Sequence, residues 1–245
     1  MLKLRYVAAL SIAAIALSGS VATGSAGVST PTDVVAISPV GVTVGVAHPV
    51  TVTFAGNIED RAAAEHSFGI ASPGAPEGDF TWLNDRVLQW SPSGFWPAHS
   101  DITVTAGGAK ASFQTGSTTV GVADIGAHTF TVSIDGQVVR EMPASMGKPK
   151  HPTPIGTFAA LEKQSLVIMD SRTIGIPLSD PEGYKLSVND AVRVTWGGVY
   201  VHSAPWSVGS QGYENVSHGC INLSPDNAAW YYDTVRIGDP IIVQS

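Results

Sequence analysis

Val50-Thr-Val-Thr-Phe54 alternates apolar and polar residues without a break, and Ile102-Thr-Val-Thr-Ala106 does the same. Successive side chains of a strand point to opposite faces, so this period-two pattern suits a half-buried strand and cannot give a helix one continuous apolar stripe. Between these runs lie Ser67–Ile70, Phe80–Leu83 and Val87–Trp90, separated by Pro, Gly and Asn-Asp turn signals. Short strands at such spacing predict a small β-sandwich. Trp90 and Trp96 flank Ser91-Pro-Ser-Gly94 and are the expected core plug.

Thr115-Gly-Ser-Thr-Thr119 is small and polar and reads as a linker. After it the alternation restarts. His128–Ile134 is a strand candidate, Asp135-Gly136 a two-residue hairpin turn, and Gln137–Arg140 the returning strand. Met142–Thr157 is rich in Pro and Gly and reads as loop. Ser165–Asp170, Tyr184–Val188, Val192–Trp196, Val199–His202 and Ile241–Val243 are further strands. One helix is expected near the end: Ser224 caps it, Pro225 suits its first turn, Asp226 favours its dipole, and Ala228–Tyr232 continues it.

Residues 1–26 have the order of a secretory leader. Lys3 and Arg5 precede the apolar run Val7–Leu17, and small residues follow at Ser20–Ala22 and Gly24–Ala26. The apolar run is short for a membrane span. Any membrane contact is expected only through this segment, if it stays uncleaved. The expected organisation is a leader over 1–26, a sandwich over 27–116, a linker over 117–120 and a second β-rich domain over 121–245.

Thirteen basic against twenty acidic side chains give a formal charge of −7, which argues against nucleic acid as a partner. The chain has one cysteine, Cys220, which excludes an intrachain disulfide or a multi-cysteine cluster. By residue type alone Cys220 is a buried filler, a metal ligand or a nucleophile. Its surroundings are Val201-His202-Ser203-Ala204-Pro205-Trp206 and Ser217-His218-Gly219-Cys220-Ile221-Asn222. A thiol needs a base to become a nucleophile, and His202, at a strand end, can accept its proton. Ser203 is a candidate to hold the other ring nitrogen. Gly219 permits a tight turn in which successive N–H groups converge on an oxyanion. His202, His218 and Cys220 also make a three-residue zinc candidate, but no fourth ligand follows in sequence. Trp206 and Trp230 read as packing residues, His128 and His151 as surface histidines, and Lys148 and Lys150 as solvated loop charges.

Ser217–Asn222, with His202 fifteen positions before Ser217, resembles the signature of the L,D-transpeptidase (YkuD-like) family. The similarity runs from about Val120 to Val243 and includes Pro152-Thr-Pro-Ile-Gly156. With an N-terminal region that resembles bacterial immunoglobulin-like domains, the whole is similar to the mycobacterial type. The fold implied is mainly β: an immunoglobulin-like sandwich, then a β-rich catalytic domain with one or two short helices. The activity implied is peptidoglycan cross-linking: cysteine attacks the third residue of a donor tetrapeptide stem, D-alanine leaves, and a diaminopimelate amine of an acceptor stem closes a 3→3 link. The resemblance implies no cofactor and no metal, and implies acylation by carbapenems. By position, Cys220 is the nucleophile, His202 its base, and Ser203 the residue that orients His202. His218, Gly219 and Cys220 supply the oxyanion backbone. Ser217, Asn222, Tyr184, Gly197 and Gly198 match substrate-contacting positions, and Met169 and Trp206 border a lid. Many family members carry Arg where this chain has Asn222, which donates a hydrogen bond but brings no fixed charge. An L,D-carboxypeptidase and a non-catalytic wall-binding module are the competing expectations.

Overall fold

A computed structural model describes residues 33–245; the leader expected over 1–26 lies outside them. The first half contains β1 (Val34–Ser38), β2 (Thr43–Val44), β3 (Val50–Phe54), α1 (Arg61–His66), β4 (Gly69–Ala71), β5 (Gly78–Asn84), β6 (Val87–Pro92), β7 (Asp101–Ala106) and β8 (Ala109–Thr115). Two four-stranded sheets, β1-β3-β6-β5 and β2-β8-β7-β4, enclose one apolar core. Alternation does the sorting: Val50, Val52 and Phe54 point inward while Thr51 and Thr53 do not. Trp90 and Trp96 are both buried, with ring centroids 5.0 Å apart, a contact worth about 1 kcal/mol beyond burial. The Trp96 indole donates to the His48 carbonyl at 2.8 Å, so the buried N–H is satisfied. The single-turn helix α1 was not expected; Asp60 caps it by accepting from the Ala63 amide at 2.9 Å.

The second half contains β9 (Thr119–Asp124), β10 (Thr129–Ile134), β11 (Gln137–Pro143), β12 (Gly156–Ala159), β13 (Glu162–Asp170), β14 (Lys185–Arg193), β15 (Tyr200–Ser203), β16 (Ile221–Leu223), α2 (Pro225–Thr234) and β17 (Pro240–Gln244). They form a five-stranded sheet, β11-β10-β9-β17-β12, and a four-stranded sheet, β13-β14-β15-β16. The Asp135-Gly136 turn has positive φ at both residues (48° and 80°), the conformation a tight hairpin demands. Tyr184–Val188 and Val192–Trp196 do not make two strands. Lys185–Arg193 is one strand with unbroken register against β13, and Asp190 lies within it at a φ of 52°.

Helix α2 begins as its sequence prescribes: the Ser224 hydroxyl accepts from the Asn227 amide at 3.4 Å, and Pro225 occupies the first turn. Its buried face, Ala228 and Tyr231, packs behind β14 and β15. Tyr231 meets Phe130 edge-on with centroids 4.8 Å apart. Gly121 makes room for that ring, since a Cβ there would lie 2.6 Å from Phe130 Cζ. Val201, Ile221 and Leu223 join this core. The opposite face of the same sheet carries Tyr200, Val188, Leu186, Met169 and Cys220.

The stretch between the halves is no loose tether. Thr115 and Thr119 are both buried, and only residues 116–118 separate β8 from β9. The Gly116 amide donates to Val44 and its carbonyl accepts from His99. A second seam joins the halves backbone to backbone: the Gly45 and Ala47 amides donate to the Ile237 and Gly238 carbonyls at 2.9 and 2.8 Å. Gly45 is required there, because a Cβ would lie 2.0 Å from the Asp239 amide nitrogen.

Candidate active site

Parallel strands β15 and β16 place His202 opposite Asn222. Cys220 precedes Asn222 by two residues, so strand pleating turns Cys220, Asn222 and His202 to one side while Val201 and Ile221 enter the core. Cys220, His202, Asn222, Ser217, His218, Trp206, Tyr184 and Met169 all line one cavity of about 380 Å³. Of the residues singled out in sequence, Ser203, Gly197, Gly198 and Gly219 are not among those that line it.

The inner wall is fixed by short contacts. His202 is buried, and its Nδ1 lies 2.9 Å from the Ser203 carbonyl. Nδ1 therefore carries the proton and donates, leaving Nε2 as an acceptor. Burial pulls the imidazole down to about 4 and pushes the Cys220 thiol up to about 11, the latter partly opposed by the Tyr200 backbone. At neutral pH the resting pair is thiol and neutral imidazole, not thiolate and imidazolium. The thiol points at the Gly198 carbonyl, 3.6 Å away, so the Gly197-Gly198 turn seats the sulfur. Asn222 is buried, with its side-chain amide donating to the Ser207 hydroxyl at 3.2 Å.

The turn before Cys220 is built around Ser217. Its hydroxyl donates to the Cys220 carbonyl at 2.6 Å and accepts from the Gly219 amide at 3.0 Å. Gly219 has φ of +117°, which an L side chain rarely adopts. Its N–H is thus engaged within the turn, and Gly219 contributes a conformation instead of the oxyanion donor expected of it. Thr153 stitches this turn to the preceding loop: its buried hydroxyl accepts from Gly147 and donates to the Gly219 carbonyl, each at 2.9 Å. Residues 142–157 are accordingly not plain loop, since Ser145 and Gly147 bridge to Asn222 and Ser217.

The outer rim differs from expectation. Trp206 is 55% exposed with its ring 6.0 Å from that of His202, so it is a rim residue and not packing. Trp230 does pack against the core. Lys148, Lys150 and His151 are not idle loop groups. Both lysines hydrogen-bond the carboxylate of Glu182, and His151 Nε2 stands 3.5 Å from it. Lys148 Nζ is also 3.3 Å from His218 Nε2, and the His218 ring sits 5.0 Å from the Tyr184 and His151 rings. The two ammonium groups hold Glu182 down to about 2; burial first, and then the lysine and His151 charges, lower His218. Among the described residues, the grouped ligand atoms that could take a metal belong to His151, Glu182 and His218, within 4.8 Å of one another, and not to the trio His202, His218 and Cys220. Two lysines already neutralise that carboxylate. Glu182 has no local pattern that marks it in sequence, and Thr153 lies inside Pro152-Thr-Pro-Ile-Gly156, a stretch that carries the resemblance without a role for the threonine.

Residues 118–243 match the model of the L,D-transpeptidase catalytic domain, and residues 13–112 that of a bacterial Ig domain. The chain is 54% identical to L,D-transpeptidase 1 of Mycobacterium tuberculosis over 98% of its own length and 96% of the relative's. The chain belongs to the L,D-transpeptidase family. Among solved structures, an L,D-transpeptidase from Mycobacterium smegmatis is 69% identical with a TM-score of 0.85, covering 88% of this chain and all of that one. The L,D-transpeptidase LdtMt1 in complex with imipenem is 58% identical with a TM-score of 0.82, covering 86% of this chain and 98% of that one.

Proposed function

We propose that this L,D-transpeptidase acts on peptidoglycan outside the cytoplasmic membrane, with Cys220 as nucleophile. In the first half-reaction the thiol attacks the carbonyl of the third stem residue. The S–C bond forms as the thiol proton moves to His202 Nε2; the C–N bond to D-alanine then breaks, and His202 returns the proton to the leaving amine. In the second, His202 takes a proton from the acceptor's diaminopimelate amine as it attacks the thioester and passes it to the departing Cys220 sulfur, so the S–C bond breaks and a 3→3 link remains. Because both partners rest uncharged, proton transfer accompanies attack instead of preceding it.

The observation that carries this reading is the register of His202 beside Asn222, with Cys220 two residues back, all opening into one cavity. We assign Ser203 to holding the His202 tautomer, the backbone at His218 and Cys220 to the oxyanion, and Asn222, Tyr184, Met169, Trp206 and Ser217 to the stem peptide. The imipenem complex of the relative supports acylation of this chain by a carbapenem as well. The positively charged, apolar N-terminal segment supports export. Among the described residues no helix is long and apolar enough to cross a membrane. Residues 27–116 are assigned to positioning the catalytic half on the wall.

Incubation with a disaccharide-tetrapeptide, with products read by mass spectrometry, tests the proposal. A cross-linked dimer with loss of D-alanine is expected. Tripeptide without dimer would make the protein an L,D-carboxypeptidase, and unchanged substrate would leave only a binding role.

A further inference from the structure

The segment from Ser171 to Tyr184 reaches the cavity through Pro181, Glu182, Gly183 and Tyr184 and is mostly exposed. Its hydrogen bonds are almost all internal: Ser171 to Tyr184 and Ile176, Gly175 to Arg172, Asp180 to Pro177, Gly183 to Asp180. Arg172 and Thr173 bond back to Asp170, at its root. Among the described hydrogen bonds, those that fasten it to the body of the domain run through one carboxylate, Glu182, to Lys148 and Lys150. A loop closed on itself at its base, resting Tyr184 on the His218 ring and hydrogen-bonded to the body through one further side chain, can lift when that side chain is released. What it uncovers is two ammonium groups and the His218 ring on the rim of the Cys220 cavity. Uncovered, they repel one another unless an anion replaces Glu182.

We infer that Lys148, Lys150 and His218 form a carboxylate-binding site at the mouth of the Cys220 cavity, occupied by Glu182 when the lid is closed and taken over by a carboxylate of the stem peptide when the lid lifts. The identity of that ligand rests on the transpeptidase reading; the site itself does not. Glu182 is then an internal competitor. It keeps the lysines paired between turnovers and sets a threshold that an acidic peptide passes and a neutral one does not.

The single cysteine allows a test that needs no turnover. Iodoacetate and iodoacetamide alkylate a thiolate by the same displacement of iodide, but only iodoacetate carries a carboxylate. The ratio of their rates at Cys220, followed by intact mass, cancels thiolate content and lid opening. Relieving the lysines with Glu182→Gln should raise the ratio about ten-fold, the size of a close charge pair at a partly exposed site. Adding Lys148→Met to that variant should return the ratio close to the wild-type value. Asp226→Asn removes an equal, exposed charge on α2, outside the cavity lining, and should change it by less than about two-fold, because exposed charges are well screened. An unchanged ratio in Glu182→Gln, or an equal rise in Asp226→Asn, overturns the site. A wild type that gives the expected ratios yet releases no D-alanine from a tetrapeptide ends the transpeptidase reading instead.

Discussion

The inner wall and the outer rim of the Cys220 cavity each carry a histidine, and the two are built on opposite terms. His202 lies on a central strand, buried, with one fixed hydrogen bond to a backbone carbonyl. His218 lies on a turn, partly exposed, between Lys148, His151 and Tyr184. Both are held neutral, the first by burial alone and the second by burial helped by neighbouring charge. The wall provides a defined tautomer and a dry surface for chemistry. The rim provides charges that can exchange partners. Rigidity and adaptability are thus divided between two histidines, His202 on a strand and His218 on a turn, that open on one cavity.

The largest effect should come from breaking the wall. His202→Ala should slow acylation by about 10²–10⁴-fold, the usual loss with a general base, while His218→Ala costs less than about ten-fold. Stopped-flow acylation by a carbapenem checks both, and equal losses would erase the distinction.

The second effect is the pH profile. With the thiol near 11 and His202 near 4, iodoacetamide should react slowly with Cys220 at pH 7, gaining about ten-fold per pH unit toward 11. A plateau already reached by pH 6 would mean a preformed thiolate–imidazolium pair and a wetter wall than this one.

Thr153→Val tests the stitch between wall and rim. It leaves the Gly147 amide and the Gly219 carbonyl without their partner, at a cost of about 1–3 kcal/mol. Denaturant unfolding reads the loss, and no loss would show that Thr153 does not hold the turn.

The smallest effect lies away from the cavity, where Gly45 packs against Asp239. Asp239 is fully buried, and burial raises its carboxyl to about 7. Between pH 4 and 7 the folded chain keeps a proton that the unfolded chain sheds. This group's contribution to stability is therefore complete below pH 4 and lost as pH rises through about 7. Asp239→Asn should raise Tm by a few degrees at pH 8 and change it little at pH 4. An equal change at both values would remove Asp239 as the cause.

The fold was most legible where a residue's partners are its neighbours in the chain. The Val50–Phe54 alternation, the Asp135-Gly136 turn and the Ser224 cap are local, and each became the element expected. Cys220 and His202 could be singled out because a short motif and a fixed spacing mark them, and both line the cavity. The rim was not legible. Lys148, Lys150 and Glu182 are 32–34 positions apart, and their meaning lies in a contact that only the folded lid makes. Gly219 was assigned a donor role on conformational grounds, but the Ser217 hydroxyl, two residues back, takes that N–H. The stretch between the halves looked like a flexible linker by composition; Val44 and His99, distant in sequence, pin it.

Intact-protein mass spectrometry after incubation with imipenem tests whether Cys220 is the acylated nucleophile. A single covalent adduct is expected on the wild type, formed slowly in His202→Ala and absent in Cys220→Ala. A wild type that stays unmodified, or an adduct that survives in Cys220→Ala, would contradict it.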